Sequence, residues 1–172
     1  MIVIETLKDY NNKDTFDEVI KLANEIYLIT ESINIDYPNY RDWYFKKHLP
    51  ITLSSNSRNI IFAKNLDGNI IAMACLKKTV AERKICTLFV DKEYRGLGLG
   101  VQLVKYAINW LEIEKPFITF ADYKLSMFIP LIKKYNWELT EIIDGIYNNE
   151  HKELCFNGSL TKKNNKEYKK TK

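Results

Sequence analysis

Between Lys84 and Val104 the chain passes from strand-like residues, through a glycine loop, into helix-like residues, and no other stretch limits its fold as strongly. Ile85 to Val90 is apolar, β-branched or aromatic enough for a buried strand, and Asp91, Lys92 and Glu93 end it. Gly96, Gly98 and Gly100 then alternate with Leu97 and Leu99. Three positions without a Cβ let a bulky anion approach the main chain, and the leucines are expected to point inward. Val101, Leu103, Val104, Ala107, Ile108 and Leu111 fall on one helical face, which puts the loop at the positive end of a packed helix. Free amides at such an end bind phosphate. Arg95 adds a planar cation suited to a pyrophosphate.

The spacing excludes two common phosphate sites. No Lys-Ser or Lys-Thr follows the last glycine, as a P-loop requires, and Gly96-Leu97-Gly98-Leu99-Gly100 lacks the G-x-G-x-x-G spacing of a dinucleotide site. The segment resembles motif A of the GCN5-related N-acetyltransferases, whose Arg/Gln-x-x-Gly-x-Gly/Ala pattern is met by Arg95, Gly98 and Gly100. Leu88 to Tyr94 resembles that family's strand and connector. The competing reading is a glycine-rich strand-to-helix turn with no ligand, although glycines weaken a loop unless something uses them.

At 172 residues with 46% apolar content, the chain is expected to form one domain over 1–161 with a substantial core, followed by a tail over 162–172. The tail holds six lysines and one glutamate, leaving −1 of the overall +4 for residues 1–161. A nucleic-acid-binding patch would have to be this tail, which reads instead as a solvated, disordered end. No run approaches the roughly 18 to 20 apolar residues that span a bilayer, so a soluble, cytoplasmic protein is expected. Cys75, Cys86 and Cys155 are odd in number and lack C-x-x-C spacing, which supports neither disulfides nor zinc. Each reads as a small buried hydrophobe.

Ile2 to Ile4 suggests a first strand, Tyr10 to Asp14 a turn, and Phe16 to about Ile33 an amphipathic helix capped by Asp14 or Thr15. A short helix rich in aromatics, Tyr40, Trp43, Tyr44 and Phe45, is expected to end near His48 and Pro50. These rings either staple the helix to a sheet or wall an acceptor site. Ile60 to Ala63 and Ile70 to Leu76 flank an Asp67-Gly68 hairpin signal, and Lys77 to Lys84 returns the chain to Ile85. Phe117 to Ala121 reads as a strand after Lys115-Pro116, Ser126 to Tyr135 as a helix containing Pro130, and Trp137 to Ile143 and Glu153 to Phe156 as two last strands.

This order is what the acetyltransferase resemblance implies, and it covers about residues 2–157. The implied fold is α/β, a mixed sheet flanked by helices, with the strands Ile85 to Val90 and Phe117 to Ala121 splayed around the pantetheine arm of acetyl-CoA. The resemblance assigns cofactor contacts to the backbone of Leu88, Phe89 and Val90 and to Arg95, Gly96, Leu97, Gly98, Leu99, Gly100 and Val101. Ser126 lies where the family's asparagine is replaced. The implied reaction is acetyl transfer to an amine on a small molecule or peptide, with a homodimer left open. Ile132 stands at the family's usual tyrosine, so Tyr123 or Tyr135 is considered as general acid, Tyr135 also reading as core. Glu82 is the candidate base, with Asp122 as its competitor, while His48 and His151 read as surface histidines. Alternatives are a silent acyl-CoA-binding module or a nucleic-acid-associated protein using the tail.

Overall fold

A computed structural model describes residues 2–161 of the chain. The basic stretch 162–172 lies outside them. The described chain runs strand, helices, three strands, helix, strand, helix, two strands, the order expected from the sequence. The described residues divide into two compact units, with the boundary between Ile113 and Glu114, just before the Lys115-Pro116 helix stop.

In the first unit four antiparallel strands lie in chain order: β1 (Val3–Thr6), β2 (Arg58–Lys64), β3 (Ile70–Lys78) and β4 (Arg83–Val90). The β3–β4 register shifts between Cys75 and Leu76: Cys75 opposes Thr87 and Leu76 opposes Ile85, so Cys86 is the extra residue of a bulge. Helix α1 (Leu7–Asn11) occupies part of what the sequence suggested was a turn. Helix α2 (Phe16–Leu28) starts on a capping box in which Thr15 and Glu18 exchange hydrogen bonds. It stops at Leu28 rather than Ile33, and a 3₁₀ turn over Glu31–Ile35 follows.

Helix α3 (Tyr40–Trp43) continues through a wide turn, Tyr44–His48, into α4 (Leu49–Ser54). The Leu49 amide donates to the Tyr44 carbonyl, an i to i+5 bond. Pro50 therefore does not end the helix. It lies in the first turn of α4, where its missing N–H costs nothing. Tyr27, Tyr40 and Tyr44 are at most 5% exposed and pack with Ile60, Phe62, Met73 and Cys75 of the sheet. The Tyr44 hydroxyl donates to the Ala23 carbonyl at 2.9 Å. These rings are the staple, while Trp43 and Phe45 remain only partly buried. Helix α5 (Leu99–Leu111) buries Leu99, Leu103, Val104, Ala107 and Leu111 and packs on β3 and β4.

The second unit holds β5 (Phe117–Ala121), α6 (Leu125–Tyr135), β6 (Leu139–Asp144) and β7 (Lys152–Phe156). Its strands lie in the order β5-β7-β6, both pairs antiparallel. Helix α6 runs on through Pro130 and ends on Asn136 in the left-handed region, which asparagine tolerates. Tyr135 stacks near Trp137 with ring centroids 6.1 Å apart.

Tyr44→Phe removes only the hydrogen bond to Ala23 and is expected to cost about 1 kcal/mol. Urea denaturation should show that loss with an unchanged denaturant slope.

Candidate active site

The glycine loop is built by the ends of β4 and α5. The Asp91 carboxylate accepts from the Glu93 amide at 2.9 Å, which turns the chain off the strand. Asn65, from the β2–β3 hairpin, donates to the Tyr94 hydroxyl at 3.0 Å and ties that hairpin to the loop. Arg95 donates from Nε to the Val90 carbonyl at 3.0 Å, so its guanidinium is held against the end of β4. Gly96 and Gly98 have φ of 79° and 82°, the left-handed region where a side chain is strained. A Cβ at either would meet nothing within 4 Å.

Gly98 is the N-cap of α5, and no side chain caps that helix. Its first turn thus presents backbone N–H groups with the positive end of the helix dipole behind them. Gly100 lies inside the helix. The two leucines differ: Leu99 is buried as expected, but Leu97 is 66% exposed and adds apolar surface to the loop instead of anchoring it. Leu88, Phe89 and Val90 are only half-buried, unlike the buried strand expected there. They form an apolar, partly open stretch leading to the glycines.

At the far end of β2, β3 and β4 the sheet carries cations. Arg58 opposes Lys77, and Lys77 opposes Lys84. Glu82 is not the exposed carboxylate that its hairpin position suggested. It is buried, and its carboxylate meets Lys77 Nζ at 2.6 Å. His48 is likewise not a surface histidine: it is fully buried, its ring 4.7 Å from that of Trp43 and its Nε2 3.2 Å from the Asn59 carbonyl. Burial, with the nearby Arg58 and Lys77 charges acting in the same direction, lowers its pKa to about 3. Burial raises the Cys86 thiol pKa, and the Lys84, Arg58 and Lys77 charges oppose that rise.

In the second unit Asp122 follows β5 directly. Its Oδ1 accepts from the Tyr123 amide at 2.8 Å and lies 3.3 Å from His151 Nδ1. The Tyr123 ring is 53% exposed, 4.6 Å from the His151 ring and 5.4 Å from Lys124 Nζ. Antiparallel pairing explains the grouping: Ala121 opposes Glu153, so the residues just before β7 lie beside those just after β5. From sequence alone His151 reads as a surface histidine. The signal for it was that antiparallel register, which joins positions some thirty apart in the chain. Ser126 is exposed in the first turn of α6, and Ile132 and Tyr135 are half-buried on that helix. Partial burial raises the Tyr135 pKa.

The model of the acetyltransferase (GNAT) family matches residues 16–118, which hold the whole of β2 to β4, the glycine loop and α5. The chain belongs to that family. No curated protein matches the chain. Among solved structures it is similar to a GNAT-family acetyltransferase from Desulfovibrio desulfuricans, at 14% identity and a TM-score of 0.61 over 91% of this chain and 97% of that one. It is similar to the IAA acetyltransferase of Bacillus cereus at 14% identity and a TM-score of 0.60, over the same shares of the two chains. A streptothricin acetyltransferase from Bacillus anthracis, solved with acetyl coenzyme A, matches at 20% identity and a TM-score of 0.51 over 58% of this chain and 61% of that one. Some relatives are thus spanned almost completely, and others over less than two thirds of their length. GNAT acetyltransferases use acetyl-CoA as acyl donor. Among the described residues, no helix is long and apolar enough to cross a membrane.

The His48 environment has a pH consequence. An unfolded histidine takes up its proton near pH 6.5, whereas this folded one resists protonation down to about pH 3. The unfolded chain therefore binds more protons throughout that window. Stability should fall as pH drops through it, by up to about 1.4 kcal/mol per pH unit from this group. Urea melts at pH 7, 6 and 5 should show the slope, and His48→Gln should flatten it.

Proposed function

We propose that this GNAT protein moves the acetyl group of acetyl-CoA to an amine, with the Gly96–Gly100 loop and the first turn of α5 as its CoA site. The observation that carries this reading is an uncapped helix N-terminus entered through two left-handed glycines with open space beside them. Backbone amides from Gly96 to Val101, together with Arg95, would hold the pyrophosphate. The half-buried backbone of Leu88, Phe89 and Val90 would take the pantetheine arm, and Ser126 remains a proposed further contact. Acetyl-CoA supplies a thioester carbonyl. What the protein must supply is orientation and the handling of one proton, because an amine attacks only when neutral.

Glu82, the first candidate for that proton, is enclosed and engaged by Lys77, so we assign it to holding Lys77 in place. Asp122 and His151 are the better pair. A carboxylate against one ring nitrogen fixes the imidazole's orientation and supports the charge it gains on accepting a proton. Tyr123, in ring contact with His151, is the proposed donor to the leaving thiolate.

Two measurements test this. Gly100→Val should abolish CoA binding in calorimetry while the protein stays folded, and retained affinity would remove the CoA site from this loop. His151→Gln should lower kcat by roughly 10²- to 10⁴-fold, and Tyr123→Phe should lower it with little change in the KM for acetyl-CoA. With Ile132 where the resemblance puts the family's tyrosine, CoA binding without thiol release to any amine would favour the acyl-CoA-binding module instead.

A further inference from the structure

Arg58 is 8% exposed, and its Nε and Nη1 are buried with no hydrogen-bond partner among the described residues. A guanidinium has only donors and keeps its charge, so buried N–H groups of this kind call for an oxygen acceptor. Lys77, whose own charge meets the Glu82 carboxylate at 2.6 Å, lies directly opposite Arg58 on β3, and Lys84 lies beyond it on β4. Like charges opposite one another across a sheet repel. His48 adds a second buried atom without a partner: its Nε2 faces the Asn59 carbonyl and must donate, leaving a lone pair on Nδ1. One place therefore offers donors for an oxyanion and an acceptor for an N–H.

The cluster also lies at a useful position along β4. Cys86, the bulged residue, is four residues before Val90, roughly 13 Å by strand rise, a span of the order of an extended pantetheine arm. Lys84 is the next side chain on the same face, and Arg58 is two strands away, about 10 Å. Bulges recur next to active sites because they re-aim the strand. The partly buried Trp43 ring packs against His48 and provides an apolar neighbour.

We propose that Arg58 is the anion-recognition residue of the acceptor site, so that the amine acetylated here carries a carboxylate or phosphonate whose oxygens accept from the Arg58 guanidinium. This rests on the acetyltransferase reading above. Substrate choice then comes from the loss suffered by a neutral acceptor, which leaves the buried guanidinium without an oxygen.

The test has a binding arm and a kinetic arm. Without acetyl-CoA, 3-phenylpropionate or phenylphosphonate should raise the melting temperature of the wild-type protein saturably, whereas 3-phenylpropanamide should not. Whichever anion acts at the lower concentration separates the carboxylate from the phosphonate source. Arg58→Met should abolish the effect and Arg58→Lys should retain part of it. In the kinetic arm, glycine, 4-aminobutyrate, L-phenylalanine and aminomethylphosphonate are compared with their neutral amides or esters. At least one acid should exceed its neutral partner in kcat/KM by roughly 30-fold or more, with the preference lost in Arg58→Met. Equal stabilisation by the amide, or no acid preferred over its neutral partner, would overturn the inference. Should Arg58→Met not fold, the wild-type comparison of acid with amide still decides. A protein that binds the anion but not CoA would strike the acetyltransferase reading alone, while one that turns over neutral amines best would strike the Arg58 site alone.

Discussion

The structure depends most on the change of backbone handedness at Gly96 and Gly98. Strand β4 must stop, and α5 must start close enough to fold back over β3 and β4, so the loop between them has little length in which to turn. Two left-handed residues supply that turn. At such positions an L-side chain costs about 1–2 kcal/mol per residue, which is why the loop is written in glycine. The helix then delivers Leu99, Leu103, Val104, Ala107 and Leu111 to the sheet without displacing its own first turn. In the proposed CoA site, fold and binding would use the same solution, because the side chain omitted for conformational reasons is also the one that would stand in front of the amides.

Around that joint the polar residues behave differently from those at the other end of the strands. Asp91, Asn65 and Arg95 each make a hydrogen bond of 2.9–3.0 Å that fixes the loop from behind. At the opposite end Arg58, Glu82 and His48 are buried beside the half-buried Lys77, which meets the Glu82 carboxylate at 2.6 Å. Buried ion pairs seldom repay their desolvation, so stability alone is a poor reason to place these groups there. Arg58 sits over the same sheet face as the aromatic staple, and an apolar residue of similar length would have extended that core.

Much of this was legible in the sequence because it is local. The strand, loop and helix of the joint lie within about two dozen consecutive residues, and the element order followed from period and punctuation. The misread positions depend on side-chain pairing across strands, on position within a helix, or on local backbone handedness. Pro50 looked like a stop but falls in a first turn, where proline is tolerated. Glu82 looked solvated because a hairpin tip usually is, yet Lys77 on the neighbouring strand draws it inward. Leu97 alternates with Leu99 in sequence, but the left-handed glycines on either side turn it outward. His151 joins Asp122 only through the β5–β7 register, which nothing near His151 announces.

That last grouping bears on how much the isoleucine at position 132 matters. A thiol with a pKa near 8.5 departs as thiolate at neutral pH far more readily than an alcohol does as alkoxide, so a thioester needs little acid assistance. The amine is the harder partner: an alkylamine is protonated in water and cannot attack until that proton is removed. A family member can therefore lose a tyrosine on α6 at small cost if it keeps a well-held base. Asp122 pins its own backbone turn through the Tyr123 amide while meeting His151 with the same oxygen, so the orientation of the imidazole is tied to the end of β5 rather than left to the loop that carries it.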